Sequence, residues 1–414
     1  MRAAAAVLFP PVGRRAWRLL GGVLLFEVGT GMTLPLVIIY LHDARGLGLA
    51  DAGLALAAVG AGGIVGTIVA GVLADRAGAG WTAVGGLVLA GVGTAGYLAV
   101  DGVGSAIAAS AAQGAGFAAT WVGVFPLLVR AVSPELRGDV LGANYAATNL
   151  GLGVGSSVAG VVLSIDPGAF APLFVADAAT YLAFAVCLVW LGEVRGGGSR
   201  PAANAPRGMG YAAVVRDRAL LVATGLNLLL VTAGFSQFTS AFPAWATGVA
   251  GAPRSLVGFA FAVNTWTIAL AQLPALSLVR GRRRTRAVAT TGLLFAACWL
   301  LVLAAGEPSA RNVSYGGLLA AAAVFGLGET LLSPSLPAIV NDLAAEEARG
   351  RYVALYSLSW QAGPMIGPAI AGAALAAGRG VPLLLGLTLA CALAAPAAVA
   401  FERLLPSGVD GTTR

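Results

Sequence analysis

The feature that most restricts the fold of this sequence is a succession of apolar runs, each about 20 residues long. A helix of that length crosses the hydrocarbon core of a bilayer, and a helix satisfies its own backbone groups in lipid. We therefore predict an all-α membrane protein with twelve transmembrane helices. Their predicted ranges are 17–40, 51–73, 82–100, 104–129, 140–163, 169–191, 219–245, 255–279, 287–305, 315–340, 352–377 and 381–401.

The composition agrees with lipid as the main solvent of this chain. Only 10% of the residues are charged and 58% are apolar, whereas soluble domains carry about 25% charged residues. All 25 basic residues are arginine. Because a Walker A phosphate loop and a retinal Schiff base each need a lysine, the sequence disfavours direct drive by ATP or by light.

The sequence also lacks the groups that a metal or catalytic centre requires. Cys187, Cys298 and Cys391 lie inside apolar runs without metal-ligand spacing, and His42 is the single histidine. We therefore predict no metal site, no cofactor and no enzymatic activity. The net charge of +7 is interpreted as a topology signal rather than as a nucleic-acid footprint.

The arginines predict the orientation of the chain. With the N-terminus in the cytoplasm, only Arg45, Arg254, Arg311 and Arg379 fall in outer loops, and all other arginines fall in inner ones. The positive-inside rule then places both termini in the cytoplasm. We expect the chain to lie in the inner membrane of a bacterium. An even number of spans follows from this orientation.

A cytoplasmic linker is predicted between two six-helix halves. The stretch from Gly192 to Arg218 is rich in Gly, Pro, Ala and Arg and cannot form a packed core. The predicted division is a first half at 1–191, a linker at 192–218 and a second half at 219–414.

The two halves resemble each other in sequence. A shift of 212 residues places Gly151, Gly155 and Gly160 over Gly363, Gly367 and Gly372, and a shift of 208 places Pro35 over Pro243. The longer shift also places the segment 135–138 over 347–350. Such duplication is typical of alternating-access transporters, so we predict two pseudo-symmetric bundles.

The loop after the second span reads Gly71-Val-Leu-Ala-Asp75-Arg76-Ala-Gly78. It resembles the loop signature of the major facilitator superfamily, particularly of its drug/proton antiporter branch. The resemblance implies a cytoplasmic lock. In it Asp75 either lies at a helix N-terminus, where the helix dipole favours its charge, or pairs with an arginine at the end of a neighbouring helix. The residues of this predicted lock are Gly71, Asp75, Arg76, Gly78, Arg130 and Arg137.

Other positions depart from the pattern of that branch. The family has an element Arg-x-x-Gln-Gly-x-Gly in its fourth span. Here Gln113-Gly114 match that element, but Ser110 stands in place of its arginine. In the loop after the second span, Ala79 and Gly80 replace a basic pair of the family. The glycine-proline element, which the family has in its fifth span, is found here in the eleventh, at 363–372. The resemblance therefore implies the fold more strongly than it implies antiport.

Three carboxyl groups, those of Glu27, Asp177 and Glu329, lie within predicted spans without a basic residue at similar depth. An ionised side chain there costs at least ~2.5–3.5 kcal/mol, and burial favours the neutral form. Such a group can exchange a proton for a cationic substrate. Glu27 is the first candidate for coupling, and its alternative is a neutral, hydrogen-bonded acid. Glu329 and Asp177 are the other candidates. The alternative for Glu329 is a structural role at the Pro334 kink, and that for Asp177 is a side chain that reaches water.

Polar and aromatic residues on five spans are candidate substrate contacts, because amphiphilic ligands need apolar surface with few hydrogen-bonding groups. They are Gln113, Asn144, Tyr145, Asn149, Gln237, Asn264, Trp266, Tyr356 and Trp360. Many such residues serve only to pack one helix against another.

We hypothesise proton-coupled efflux of hydrophobic or cationic small molecules by a protein that acts as a monomer in the lipid bilayer. Its partners would be protons and a small-molecule substrate, without nucleic acid. Two alternatives stay open: a transporter of a sugar, amino acid or siderophore, and a membrane sensor that transports nothing.

Overall fold

The structure is a computed structural model, which describes residues 11–195, 214–279, 281–307, 311–346 and 348–411. The predicted linker falls mostly outside these residues, as does Glu347 of the repeated motif. The described part of the chain is helical and contains no strand. Ranges below name the long helices in chain order.

Six long helices form the first part of the chain. The first of them is followed, after a break, by a short helix, Val37–Ile39, and a π-helical turn, Tyr40–Ala44. The six are α1 (Arg14–Thr33), α2 (Leu49–Ala77), α3 (Ala79–Gly96), α4 (Val103–Arg130), α5 (Arg137–Ile165) and α6 (Phe170–Trp190).

Six more helices follow. The seventh continues into a π-helical turn, Val231–Phe235, and two short helices, Ser236–Phe238 and Ala241–Gly248. The six are α7 (Arg218–Leu230), α8 (Arg254–Val279), α9 (Arg284–Ala305), α10 (Arg311–Leu343), α11 (Arg349–Ala376) and α12 (Gly380–Phe401).

The described residues contain 10 helical segments that are long and apolar enough to cross a membrane, or up to 11 when the bent segment formed by Arg14–Thr33 and Val37–Ala44 is included. Even with the bent segment, the number is one below the predicted twelve. The predicted span 352–377 is present as α11, but its glycines, prolines and polar side chains lower its hydropathy, so it is not among these segments.

Apolar side chains on the outer faces of these helices support a lipid environment. Ile68 is 66% exposed, Val186 67% and Leu389 60%. Water would make such a surface unfavourable at about 25 cal/mol per Å². A bilayer removes that cost.

The chain divides into two compact units. The first unit is Met1–Pro201 with Pro253–Ala269, and the second is Ala202–Ala252 with Leu270–Arg414. The unit boundary thus falls within α8, whereas the predicted halves place all of that helix in the second half. The division predicted from the sequence otherwise stays a prediction.

Helix partners repeat between the units. In the first unit α1 packs on α5 and α6, and α3 packs on α4 and α6; in the second, α7 packs on α11 and α12, and α9 packs on α10 and α12. This recurrence agrees with the internal repeat seen in the sequence and with the pseudo-symmetric fold.

Glycines bring the backbones of α1 and α5 into contact. A Cβ on Gly155 would lie 2.0 Å from the carbonyl oxygen of Val28, and one on Gly31 would lie 2.4 Å from that of Leu152. Ser156, which stands at the proline position of the family element, donates a hydrogen bond of 3.0 Å to the Gly31 carbonyl. Small residues allow this approach of two helices in lipid.

We expect Gly155→Ala to lower the stability of the protein by about 1–3 kcal/mol, because the added methyl group forces α5 away from α1. Gly142→Ala on the same helix is the matched control, since a Cβ there meets nothing within 4 Å. It should leave stability unchanged or raise it by roughly 0.5–1 kcal/mol. Thermal unfolding in detergent, followed by size-exclusion chromatography, measures both. Equal midpoints for the two variants would contradict the close packing.

Candidate functional site

A stripe of polar side chains runs along α1 in the first unit. Glu27, Thr30 and Thr33 follow one another at intervals of three residues, so they share one side of the helix. All three are buried. The stripe faces a region where α5 and α6 pack against α1.

Two hydrogen bonds connect this stripe to α6. The Thr33 hydroxyl donates to Oδ2 of Asp177 at 2.5 Å. One turn earlier, the Thr30 and Tyr181 hydroxyl groups lie 2.9 Å apart and share a hydrogen bond. Asp177 and Tyr181 are themselves one turn apart on α6, so the two bonds form successive rungs between the helices.

Glu27 is 2% exposed. A Cβ on Gly151 of α5 would lie 2.7 Å from the Cβ of Glu27, so only glycine fits opposite this residue. No hydrogen bond or ion pair joins the Glu27 carboxyl group to any described residue. A carboxyl group without a partner at such burial is costly in its charged form.

Asp177 is fully buried on α6. Its Oδ2 accepts the Thr33 hydrogen bond, but its Oδ1 has no partner among the described residues. Gly29 of α1 lies directly opposite: a Cβ there would be 2.6 Å from Oδ1 of Asp177 and 2.0 Å from Oγ1 of Thr180. Glycine at position 29 therefore leaves room for the Asp177 carboxyl group.

The third candidate acid, Glu329, does not belong to this group. It lies on α10 of the second unit and is half-buried. The structure thus brings together two of the three carboxyl groups that the sequence singled out. The proposed role of Glu329 in coupling stays a prediction.

The predicted lock residues lie at one end of α2 and its neighbours. Gly78 has a φ of 89°, a left-handed conformation that favours glycine, and it separates α2 from α3. Asp75, Arg76 and Arg137 are exposed, and none of these three forms an ion pair within the described part of the chain. Gly71 is partly buried and Arg130 is exposed.

A different ion pair lies at this end of the first unit. Arg15 donates hydrogen bonds of 2.7 Å and 2.6 Å to the two carboxylate oxygens of Glu193. Glu193 is 5% exposed and belongs to a short turn, Glu193–Arg195, which packs against α3. A Cβ on Gly80 would lie 2.4 Å from the Glu193 carbonyl oxygen, which explains a glycine where the family pattern has a basic residue.

Predicted substrate contacts of the first unit lie on α4, α5 and the first part of α8. Asn144 is buried with its Oδ1 unpartnered, and Asn149 donates to the Tyr145 carbonyl at 3.0 Å. Trp266 is exposed and lies 3.5 Å from the Ser157 hydroxyl. Of the others, Gln113 is half-buried and Asn264 is buried.

Some of the predicted substrate contacts in the second unit form hydrogen bonds from one helix to another. Tyr356 donates to Oδ1 of Asn227 at 2.8 Å, and Asn227 donates to Ser359 at 2.7 Å. Gln237 donates to the Gly367 carbonyl at 2.9 Å, while its Oε1 has no partner in the described structure. These bonds join α7 and the turn after it to α11.

An aromatic cluster lies beside these bonds in the second unit. Phe235 contacts Trp360 edge to face at a centroid distance of 5.0 Å, and it also contacts Phe295 and Phe325. Trp360 is 36% exposed. The second unit therefore presents aromatic surface near polar groups that are mostly satisfied.

Several of these residues were not predicted from the sequence. Thr30, Thr33 and Tyr181 read as ordinary constituents of apolar spans, and Asn227 and Ser359 as isolated polar residues. The signal that identifies Thr30 and Thr33 is their spacing of three and six from Glu27. Ser110, at the family arginine position, is buried and lies 2.8 Å from the Tyr97 hydroxyl.

Comparison with known proteins decides the family. A model described as Major Facilitator Superfamily matches residues 19–253 and 224–410. The chain belongs to the major facilitator superfamily. It is a multi-pass membrane protein of the transporter type, as the resemblance of its loop motif implied.

Two relatives of this major facilitator come from Bacillus subtilis (strain 168). The uncharacterized MFS-type transporter YttB is 27% identical over 379 residues, which cover 85% of this chain and 86% of the relative. The uncharacterized MFS-type transporter YqjV is 25% identical over 383 residues, which cover 86% and 85%.

Solved structures share the fold. A POT family transporter in complex with a thioalcohol conjugated peptide has a TM-score of 0.80 at 13% identity, covering 95% of this chain and 97% of that one. The nucleoside transporter NupG has a TM-score of 0.77 at 12% identity, covering 95% and 100%. At these identities the likeness concerns architecture alone.

Arg254, at the start of α8, contacts other residues of the first unit of this major facilitator. Arg254 donates to Oδ2 of Asp43 through Nε at 3.0 Å and Nη2 at 2.9 Å, and to the Pro167 carbonyl through Nη1 at 3.0 Å. Its guanidinium group also lies 5.3 Å from the Phe170 ring centroid, as in a cation–π contact.

We expect Asp43→Asn to loosen the packing of Pro253–Ala269 on the first unit, because Arg254 loses its charged partner. Ser255→Cys, placed in a chain without its three native cysteines, reports this, since Ser255 is buried. Its alkylation in detergent should become roughly fivefold faster, as expected for a partly exposed ion pair worth about 1 kcal/mol.

Asp51→Asn is the matched control for this measurement. Asp51 lies in the first turn of α2 and forms no ion pair with any described residue. Equal alkylation rates in the Asp43 and Asp51 variants would show that Arg254 does not hold this segment.

Proposed function

We propose that this protein is a proton-coupled secondary transporter that exports hydrophobic or cationic small molecules by alternating access. The observation that carries the proposal is Glu27, a carboxyl group buried in α1 without a hydrogen bond or ion pair to any described residue. Such a group is suited to hold a proton in one state and to release it in another.

Exchange at Glu27 follows from its surroundings. The neutral carboxyl group is compatible with burial, whereas the carboxylate needs a compensating charge. A cationic substrate supplies that charge when it arrives and removes it when it leaves. Competition of proton and substrate for one carboxyl group couples their movements in opposite directions. Each proton moving inward supplies about 2.3 kcal/mol per 100 mV of membrane potential.

Aromatic side chains support an amphiphilic substrate. In the first unit Phe26, next to Glu27, contacts Trp121 at 5.7 Å and Phe117 at 6.3 Å between ring centroids, and both of these are only partly buried. In the second unit Phe235 and Trp360 offer a similar surface. Aromatic faces attract both apolar groups and cations.

The proposed setting is the inner membrane of a bacterium, with both termini in the cytoplasm and the protein acting as a monomer. The distribution of arginines supports this orientation. The protein would not act as an enzyme, in keeping with relatives that are named as transporters.

A polar nutrient or metabolite is the second candidate cargo. Asn144 and Gln237 each keep one buried amide oxygen without a partner in the described residues, and a polar ligand could satisfy such oxygens. Solved proteins of the same fold are named as peptide and nucleoside transporters. A thermal-shift screen of cationic dyes, sugars, amino acids and siderophores separates the two candidates, and a sensor without transport would show no substrate-dependent proton flux.

We expect Glu27→Gln to abolish transport driven by a pH gradient while leaving substrate counterflow measurable, because the amide cannot carry a proton but keeps the shape of the site. Proteoliposomes loaded with a pH-sensitive dye and challenged with tetraphenylphosphonium report both fluxes. Pumping should fall at least tenfold.

Glu135→Gln is the control, since Glu135 is an exposed acid of the same unit. It should transport like the wild type. Undiminished pH-driven transport in the Glu27 variant would show that another group couples the proton, and absence of proton-linked flux in the wild type would reject the proposed function.

A further inference from the structure

The juxtaposition that carries a further inference is that of Glu27 and Asp177 across the interface of α1 and α6. We propose that these two carboxyl groups form one coupled protonation site, in which Asp177 binds a second proton at its Oδ1 atom. This inference deepens the proposed function, since it assigns two protons to the site that Glu27 was proposed to form.

The position of Asp177 is set by its hydrogen bonds. Thr33 donates to Oδ2, which fixes the carboxyl group and leaves Oδ1 free to take the proton. Gly29 leaves space for Oδ1, which a side chain at that position would fill. Thr33 is thus a positioning residue, and Oδ1 is a buried polar atom that lacks a partner among the described residues.

The distance between the two acids favours coupling. Asp177 accepts a hydrogen bond from Thr33, which lies six residues after Glu27, or about 9 Å along the helix axis. The backbone of Asp177 lies opposite Gly29, which is two residues after Glu27. Both carboxyl groups are buried, so little water screens one from the other. Two carboxylates near each other in a site with little water repel each other, so the two groups titrate as a pair.

No basic side chain offsets these two acids. The ionisable groups that interact with Asp177 are Glu27 on α1, Tyr97 in the turn after α3, and Tyr181 on its own helix. Arginines of the described first unit are not among them. With one carboxylate already uncompensated, a second would be more costly, so the pair retains at least one proton in this state.

The proton balance of a cycle follows from this arrangement. When the site opens to one side, water enters, the O–H bonds of both carboxyl groups break, and both protons pass to that water. The cationic substrate then offsets one carboxylate, while water and the Thr33 hydroxyl solvate the other. When it opens to the other side, substrate leaves and both O–H bonds form again. Two protons then move against one substrate, and neither step needs another reactant.

Infrared difference spectroscopy of the purified protein tests the pair without any substrate. During a pH titration, the carbonyl band of protonated carboxyl groups should disappear in two steps. Asp177→Asn and Glu27→Gln should each leave a single step, and each should shift the midpoint of the remaining acid by roughly one pH unit. Glu135→Gln should leave both steps in place.

Thr33→Val tests the assignment without removing an acid. It should change the frequency of one carbonyl band, because Oδ2 of Asp177 loses its hydrogen bond. Thr120→Val is its control, since the buried Thr120 hydroxyl donates only to the Gly116 carbonyl of its own helix. Should Asp177→Asn fail to fold, the Thr33 variant still identifies the band.

Reversal-potential measurements in proteoliposomes complete the test, with two protons per tetraphenylphosphonium expected for the wild type and one for Asp177→Asn. If the midpoint of Glu27 were the same in Asp177→Asn as in the wild type, the inference would be overturned and the proposed function would stand. Coupled bands without proton-linked transport would reject the proposed function and keep the pair.

Discussion

Contact between helix backbones through glycine is the interaction on which the candidate site depends. Gly31 and Gly155 bring α1 against α5, and Gly29 brings α1 against α6. Helices that approach this closely leave no room for lipid or bulk water between them. Polar side chains at the interface must therefore find partners on the facing helix, and Thr30 and Thr33 find them in Tyr181 and Asp177. Glu27 finds none in the described structure.

The energetics of a bilayer give this arrangement its functional meaning. In water, a carboxyl group on a helix surface costs little and carries no information about function. At this burial the ionised form is unfavourable by several kcal/mol, so an acid is retained only where its neutral form or a cationic partner is present. Glu193, by contrast, is buried beside Arg15 and is satisfied by two hydrogen bonds. The two kinds of buried acid are thus distinguished by their partners.

Much of the fold could be predicted from the sequence, because span length, arginine placement and glycine spacing are local signals. Eleven of the twelve predicted spans correspond to apolar helical segments, and α11 differs because its many small and polar residues reduce its hydropathy. The assignment of Pro253–Ala269 to the first unit could not be predicted. It depends on the hydrogen bonds of Arg254 and on other contacts of α8, which produce no periodic pattern in the sequence. Likewise, Glu27 and Asp177 were each visible as isolated acids, but their proximity depends on the packing of α1 against α6. The spacing of Thr33 from Glu27 places both on one side of α1, but the partner of its hydroxyl group is known only from the structure.

The internal repeat places different side chains at matching positions of the same helix packing. The shift of 208 residues that relates the first span to the seventh places Phe235 over Glu27 and Phe238 over Thr30. Both units keep the packing of this helix on its fifth- and sixth-position partners. In the first unit the stripe is polar and includes one acid, Glu27. In the second unit Phe235 and Phe238 stand at the matching positions, with Phe238 stacked on Phe325 at 4.3 Å between ring centroids. Glycine contacts maintain the shared backbone geometry, so the stripe is free to change without loss of the fold. Each repeat thus keeps the same helix packing while its side chains at these positions differ in polarity.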